Sequence, residues 1–201
     1  TAIWPGFHET AYGIAFDIGS TTVAGHLCDI FTGDVLASAG AMNPQIRFGE
    51  DLMSRVSYVM MHPGSVKELT RAVRGCLAKL TAELAKEAGI NRDDVLEITV
   101  VGNPIMHHFF LGLDPTDLGG APFALAVDEA VRRPATELGF PVNAGARTYV
   151  LPCIAGHVGA DTAGVLLSEG PYLGDEVNLI VDVGTNAEIV LGNRDRLLAA
   201  S

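Results

Sequence analysis

Short apolar runs, each closed by turn residues, divide this chain into strand-sized and helix-sized pieces. The first run, 12–18, reads Tyr-Gly-Ile-Ala-Phe-Asp-Ile and predicts a buried strand. Gly19-Ser20-Thr21-Thr22 forms a turn, and 23–30 predicts a second strand. Thr32-Gly33-Asp34 is a hairpin signal before a third strand over 35–41. Asn43 and Pro44 break the alternation. A helix is expected over 48–61, with Leu52, Val56 and Val59 on one face, and His62-Pro63-Gly64 stops it. Ser65 followed by Glu68 has the spacing of a capping box. The helix behind it is the clearest in the chain: Val66, Leu69, Val73, Leu77, Leu80 and Leu84 recur at helical spacing until Gly89.

The remainder continues as strand 96–101, helix 105–111, strand 149–154 and helix 158–168. The Pro-, Gly- and Ala-rich segment 113–147 carries no firm periodicity. Up to residue 168 the order is therefore three strands, helices, strand, helix, strand, helix. That is an α/β, ribonuclease-H-like half-domain: a five-stranded mixed sheet flanked by helices, spanning 12–170 behind a linker at 1–11. Strands at 178–183, 187–191 and 196–200 start the same pattern again, so 171–201 reads as the opening strands of a second such half.

The chemistry lies in a repeat. Phe16-Asp17-Ile18-Gly19-Ser20-Thr21 and Val181-Asp182-Val183-Gly184-Thr185-Asn186 share the order apolar, Asp, apolar, Gly, hydroxyl, polar. Glycine lets successive backbone N–H groups turn toward phosphate oxygens. Ser20, Thr21, Thr22, Thr185 and Asn186 add short side-chain donors. Asp17 and Asp182 would repel bare phosphate, but they suit Mg²⁺ held through water between carboxylate and phosphate. One such turn is common in ordinary loops, where the aspartate caps the bend. Two copies, each between apolar strands, point to facing turns that clamp a magnesium nucleotide.

Other polar residues are less decisive. Asp161 opens the 158–168 helix, where an acid also satisfies the helix dipole. Glu188 follows the second turn on a strand and can face solvent, and Glu50 and Asp51 read as a solvated helix face. His107 and His108 are adjacent on a helix, about 100° apart, and suit capping or packing better than joint metal ligation.

Composition narrows the partners. The chain is 48% hydrophobic and 18% charged, a globular balance. Its net charge of −11 disfavours nucleic acid and anionic membranes. Cys28, Cys76 and Cys153 are far apart with no C-x-x-C spacing, which suits free thiols in a reducing cytoplasm. No apolar run approaches 18 residues. The chain begins at Thr1 rather than methionine and ends in an apolar run, so it is expected to be a piece of a longer protein.

The paired turns resemble the superfamily of sugar kinases, actin and heat-shock chaperone ATPases. The resemblance narrows with Val101-Gly102-Asn103-Pro104-Ile105-Met106-His107, Leu151-Pro152-Cys153-Ile154-Ala155-Gly156 and Val158-Gly159-Ala160-Asp161-Thr162. Together with both turns, these are similar to the reductive activators of corrinoid proteins. The resemblance implies an actin-like ATPase region that binds ATP and Mg²⁺, in a parent protein with an N-terminal iron–sulfur domain. It implies reductive return of Co(II) corrinoid to Co(I) in a partner corrinoid protein of a methyltransferase system. It places Asp17 and Asp182 at the metal, and Gly19, Ser20, Thr21, Thr22, Gly184, Thr185 and Asn186 at phosphate. By position, Asp161 would orient the attacking water or bind the metal. No cluster ligands occur here, and the superfamily's adenosine-binding motif would follow beyond residue 201, so the isolated chain is not expected to turn over ATP. Three alternatives stay open: an activator of acyl-CoA dehydratases, a sugar kinase, or a non-catalytic half-domain for docking or homodimer formation.

Overall fold

A computed structural model describes residues 10–184 and 186–201. The linker expected at 1–11 therefore falls mostly outside the described residues, as does Thr185. Strands β1 (Tyr12–Ile18), β2 (Thr22–Asp29) and β3 (Val35–Met42) form the expected antiparallel meander. β4 (Val95–Gly102) lies parallel to β1, with Ile18 beside Gly102 at the end of the pair. β6 (Arg147–Val150) runs parallel to β4, and β5 (Val131–Pro134) closes the edge antiparallel to β6. The sheet order is β3-β2-β1-β4-β6-β5.

This sheet has six strands, one more than the sequence pattern predicts. The additional strand, β5, comes from the segment without periodicity: it has only four residues, lies at an edge and ends in Pro134. β6 also stops at Val150, and 151–159 crosses as irregular chain to the helix beyond.

One face of the sheet carries the core. Ile14, Phe16, Ile18, Val23, Leu27, Ile98 and Val100 are buried there. Helix α2 (Val66–Glu87) covers β2 and β3 with Leu69, Val73, Leu77, Leu80 and Leu84. Helix α3 (Pro104–Leu111), almost wholly buried, packs beside it. Helix α4 (Ala160–Glu169) lies against β4 and shares a small second core with Val101 and Leu151.

Two helix starts differ from the pattern. Pro44–Phe48 is a 3₁₀ turn, and α1 (Leu52–Met61) begins only after Asp51. The Asp51 carboxylate accepts the Ser54 N–H at 2.7 Å, so this residue is a cap rather than part of a solvated helix face. At α2 no capping box forms. Ser65 is already in helical conformation (φ −69°, ψ −15°), whereas an N-cap needs an extended residue to aim its oxygen back.

Beyond α4, β7 (Asn178–Val183), β8 (Ala187–Gly192) and β9 (Leu197–Ala200) form a separate antiparallel sheet. Leu179, Val181, Val183, Ile189, Leu191 and Leu198 are exposed there, and Val190 alone of its described residues is fully buried.

Candidate functional site

The site grows out of the C-terminal ends of the parallel strands, where α/β sheets commonly receive ligands. β1 alternates Ile14, Phe16 and Ile18 into the core, so Asp17 points to the opposite face. The chain then turns at Gly19, where an added Cβ would lie 2.6 Å from the Thr22 carbonyl oxygen. β4 ends beside it at Gly102, whose Cβ would meet the Ile18 carbonyl oxygen at 2.8 Å. Asn103 caps α3 by accepting the Met106 N–H at 3.0 Å. The third strand end leads to Gly159, which packs against the backbone of Asn103 (2.6 Å from an added Cβ) and starts α4. Asp161 follows in the first turn of α4, and its carboxylate accepts the Thr162 N–H at 2.8 Å.

The β7–β8 hairpin faces these three loops. Asp17, Gly19, Ser20, Thr21, Thr22, Asn103, Asp161, Asp182, Gly184, Asn186 and Glu188 line one cleft of about 250 Å³. The cleft thus brings together every described residue that the sequence assigned to the metal, the phosphates or the attacking water. Asn103 and Glu188 join them. Asn103 gave its signal only as part of the Gly-Asn-Pro turn. Glu188 sits directly opposite Asp182 in the strand register, which turns it into the cleft.

The cleft gathers four carboxylates, those of Asp17, Asp161, Asp182 and Glu188. Asp17 is pushed up to about 6, first by burial and then by the Asp161 and Asp182 carboxylates. Burial raises Asp161 too; the Thr162 N–H opposes that, and Asp182 adds to it. Glu188 is raised by burial and by Asp161 and Asp182. Like charges directly across a strand pair are destabilising on their own, so a bound cation is the natural complement of this set. Among the described residues, no three of His, Cys, Asp or Glu are grouped as direct ligands of a metal ion. Four carboxylates lining one cleft, with no direct ligand group among the described residues, suit Mg²⁺ held through its water shell.

The two histidines beside the site have packing roles. His108 Nδ1–H donates to the Pro104 carbonyl at 2.7 Å, and its Nε2 accepts the Ala126 N–H at 3.0 Å. One ring nitrogen donating and the other accepting is the neutral imidazole, which ties 113–127 onto α3. His107 is 2% exposed, and its ring is held down to about 4 by burial and by His108.

The chain is similar to corrinoid activators along nearly its whole length. The model of the RACo middle region matches residues 12–171, and that of the C-terminal domain of RACo, the ASKHA domain, matches 176–201. It is 38% identical over 190 residues to the corrinoid activation enzyme RamQ of Eubacterium limosum, covering 94% of this chain and 32% of that protein. It is 26% identical over 201 residues to the [Co(II) methylated amine-specific corrinoid protein] reductase of Methanosarcina barkeri, covering 94% and 36%. A solved structure named reductive activator for corrinoid, iron–sulfur protein superposes with a TM-score of 0.92 at 36% identity, over 96% of this chain and 31% of that one. The chain spans about a third of the length of the relatives it matches. By the match over 12–171 and the superposition, it belongs to the RACo family of corrinoid reductive activators.

Proposed function

We propose that this chain forms the first phosphate-gripping half, and the start of the second, of an ATPase region in an iron–sulfur protein. The protein uses ATP to return a Co(II) corrinoid to Co(I). The observation that carries this reading is the single cleft into which both aspartate–glycine turns open from opposing sheets. Gly19, Ser20, Thr21 and Thr22 on one side, and Gly184 and Asn186 on the other, present backbone and short side-chain donors to a phosphate chain. By the sequence repeat alone, Thr185 is assigned the same role as Ser20. Asp17 and Asp182 would hold Mg²⁺ through its water shell, and the ion would supply positive charge to offset that of the phosphates. Asp161 stands at the α4 start, where it orients the attacking water or assists at the metal.

An iron–sulfur centre of the parent protein would supply the one electron that takes the partner's cobalt from Co(II) to Co(I). Because this transfer is uphill, the two halves must couple the state of the nucleotide to the partner's geometry. Two turns on separate sheets can do so, since closure on a triphosphate and relaxation after hydrolysis change their relative placement. The partner is a corrinoid protein, in keeping with the names of the relatives, and our reading sets the pair in a methyltransferase system of the cytoplasm.

The test is ATP hydrolysis by the full-length protein with and without its Co(II) corrinoid protein, followed by cobalt absorbance. Hydrolysis that rises with the partner and accompanies Co(I) formation is expected. Cobalt reduction that proceeds equally without ATP would contradict the proposal.

A further inference from the structure

Resting on the reading of the cleft as a phosphate site, we propose that Arg55 is the positioning residue of the first phosphate turn. It is a buried cation that fixes the turn from behind and sets a positive charge on the protein side of it. Arg55 lies on α1, outside the cleft lining, and is 0% exposed. Its Nη2–H donates to the Ser20 carbonyl at 2.6 Å and its Nε–H to the Gly49 carbonyl at 2.9 Å. Its Nη1–H donates to Met106 Sδ at 3.3 Å.

Asn43 completes the grip. Its Nδ2–H donates to the Gly19 carbonyl at 2.8 Å and to Met106 Sδ at 3.4 Å, and its backbone N–H donates to the Thr21 carbonyl at 2.7 Å. Three successive carbonyls of the turn are therefore taken from the core side. A trans peptide points its N–H opposite to its C=O. Anchoring the Gly19 and Ser20 carbonyls consequently turns the Ser20 and Thr21 N–H groups away from the anchors. Met106 receives both donors and belongs to α3, whose cap Asn103 lines the cleft, so the second strand end is tied into the same network.

A neutral donor could satisfy the same carbonyls at lower cost. A buried charge without an ion pair is expensive unless something repays it. Among the described residues no carboxylate forms an ion pair with Arg55, and Asp51 acts on it only through its field. An anion on the other side of the turn supplies the missing counterpart.

The test compares Arg55→Lys and Arg55→Met with wild type in the full-length protein, titrating Mg²⁺-ATP and, separately, adenosine. Charge-assisted hydrogen bonds at buried sites are worth roughly tenfold to a hundredfold in affinity. Mg²⁺-ATP should weaken about tenfold in Arg55→Lys, which keeps the charge but loses the fork, and more in Arg55→Met. Adenosine affinity should stay within about twofold, whereas a general loosening of the fold would lower both ligands together. Amide exchange over 19–22 in nucleotide-free protein should also quicken in Arg55→Lys. If Arg55→Met does not fold, Asn43→Asp, which puts an acceptor against the Gly19 carbonyl, is held to the same ATP-to-adenosine ratio. Parallel losses of ATP and adenosine, or unchanged ATP affinity with unchanged exchange, would overturn the role of Arg55 and leave the cleft reading standing. A wild-type protein that binds adenosine but not Mg²⁺-ATP would sink both.

Discussion

At the scale of residues, Asp17 shows what the cleft costs the protein before a ligand arrives. Its carboxyl is raised from its ordinary 3.8 to about 6 by burial and by two neighbouring carboxylates. The folded chain thus holds this proton more tightly than the unfolded chain does. Below 3.8 both states are protonated and no penalty exists; as pH rises through the window to about 6, folded-state stability is lost, and above it the loss is complete. Asp17→Asn should therefore raise the melting temperature of metal-free protein at pH 7.5 and change it little at pH 3.5; thermal denaturation at the two pH values checks this. The aspartates were legible in the sequence because they recur in matching turns. Arg55 was not: within Asp-Leu-Met-Ser-Arg-Val a lone cation reads as a solvated position. Only the chain's return past Ser20 and Gly49 makes it a core residue, and that return is a tertiary fact.

At the scale of elements, the three strand ends meet so closely that side chains are excluded between them. Gly159→Ala would set a methyl 2.6 Å from the Asn103 Cα and is expected to cost about 1–3 kcal/mol in denaturant unfolding. Gly75, exposed in the interior of α2 with open space around it, behaves oppositely. There, Gly75→Ala should stabilise by about 0.5–1 kcal/mol through helix propensity alone. Capping distinguishes pattern from geometry. Asp51→Ala should lower stability, because its carboxylate holds the Ser54 N–H. Ser65→Ala should leave it nearly unchanged, because its buried Oγ has no hydrogen-bond partner among the described residues. The helices and central strands were readable because their apolar spacing is local. β5 was not, since a four-residue edge strand is selected by pairing with β6 rather than by its own residues.

At the scale of the whole molecule, one complete sheet with a deep core carries a second, thin sheet whose apolar face is open. Amide exchange should be slowest in β1, β2 and β4, where the core residues are 0–1% exposed, and far faster in β7, β8 and β9. Exchange mass spectrometry of the 201-residue chain reads this directly. Equal protection in the two sheets would mean that the hairpins pack in a way this structure lacks. The duplication of the turns, and from it their facing arrangement, was read from the sequence; that Asn103 and Glu188 close the same cleft was a consequence of topology. The most direct test of that central claim is the affinity of the full-length protein for ATP, with and without Mg²⁺, compared with its Asp17→Asn and Asp182→Asn variants. The account requires tight binding only with Mg²⁺ and a loss of about tenfold or more in each variant, the order expected for one charge-assisted contact. Equal, metal-independent affinity in all three proteins would contradict it.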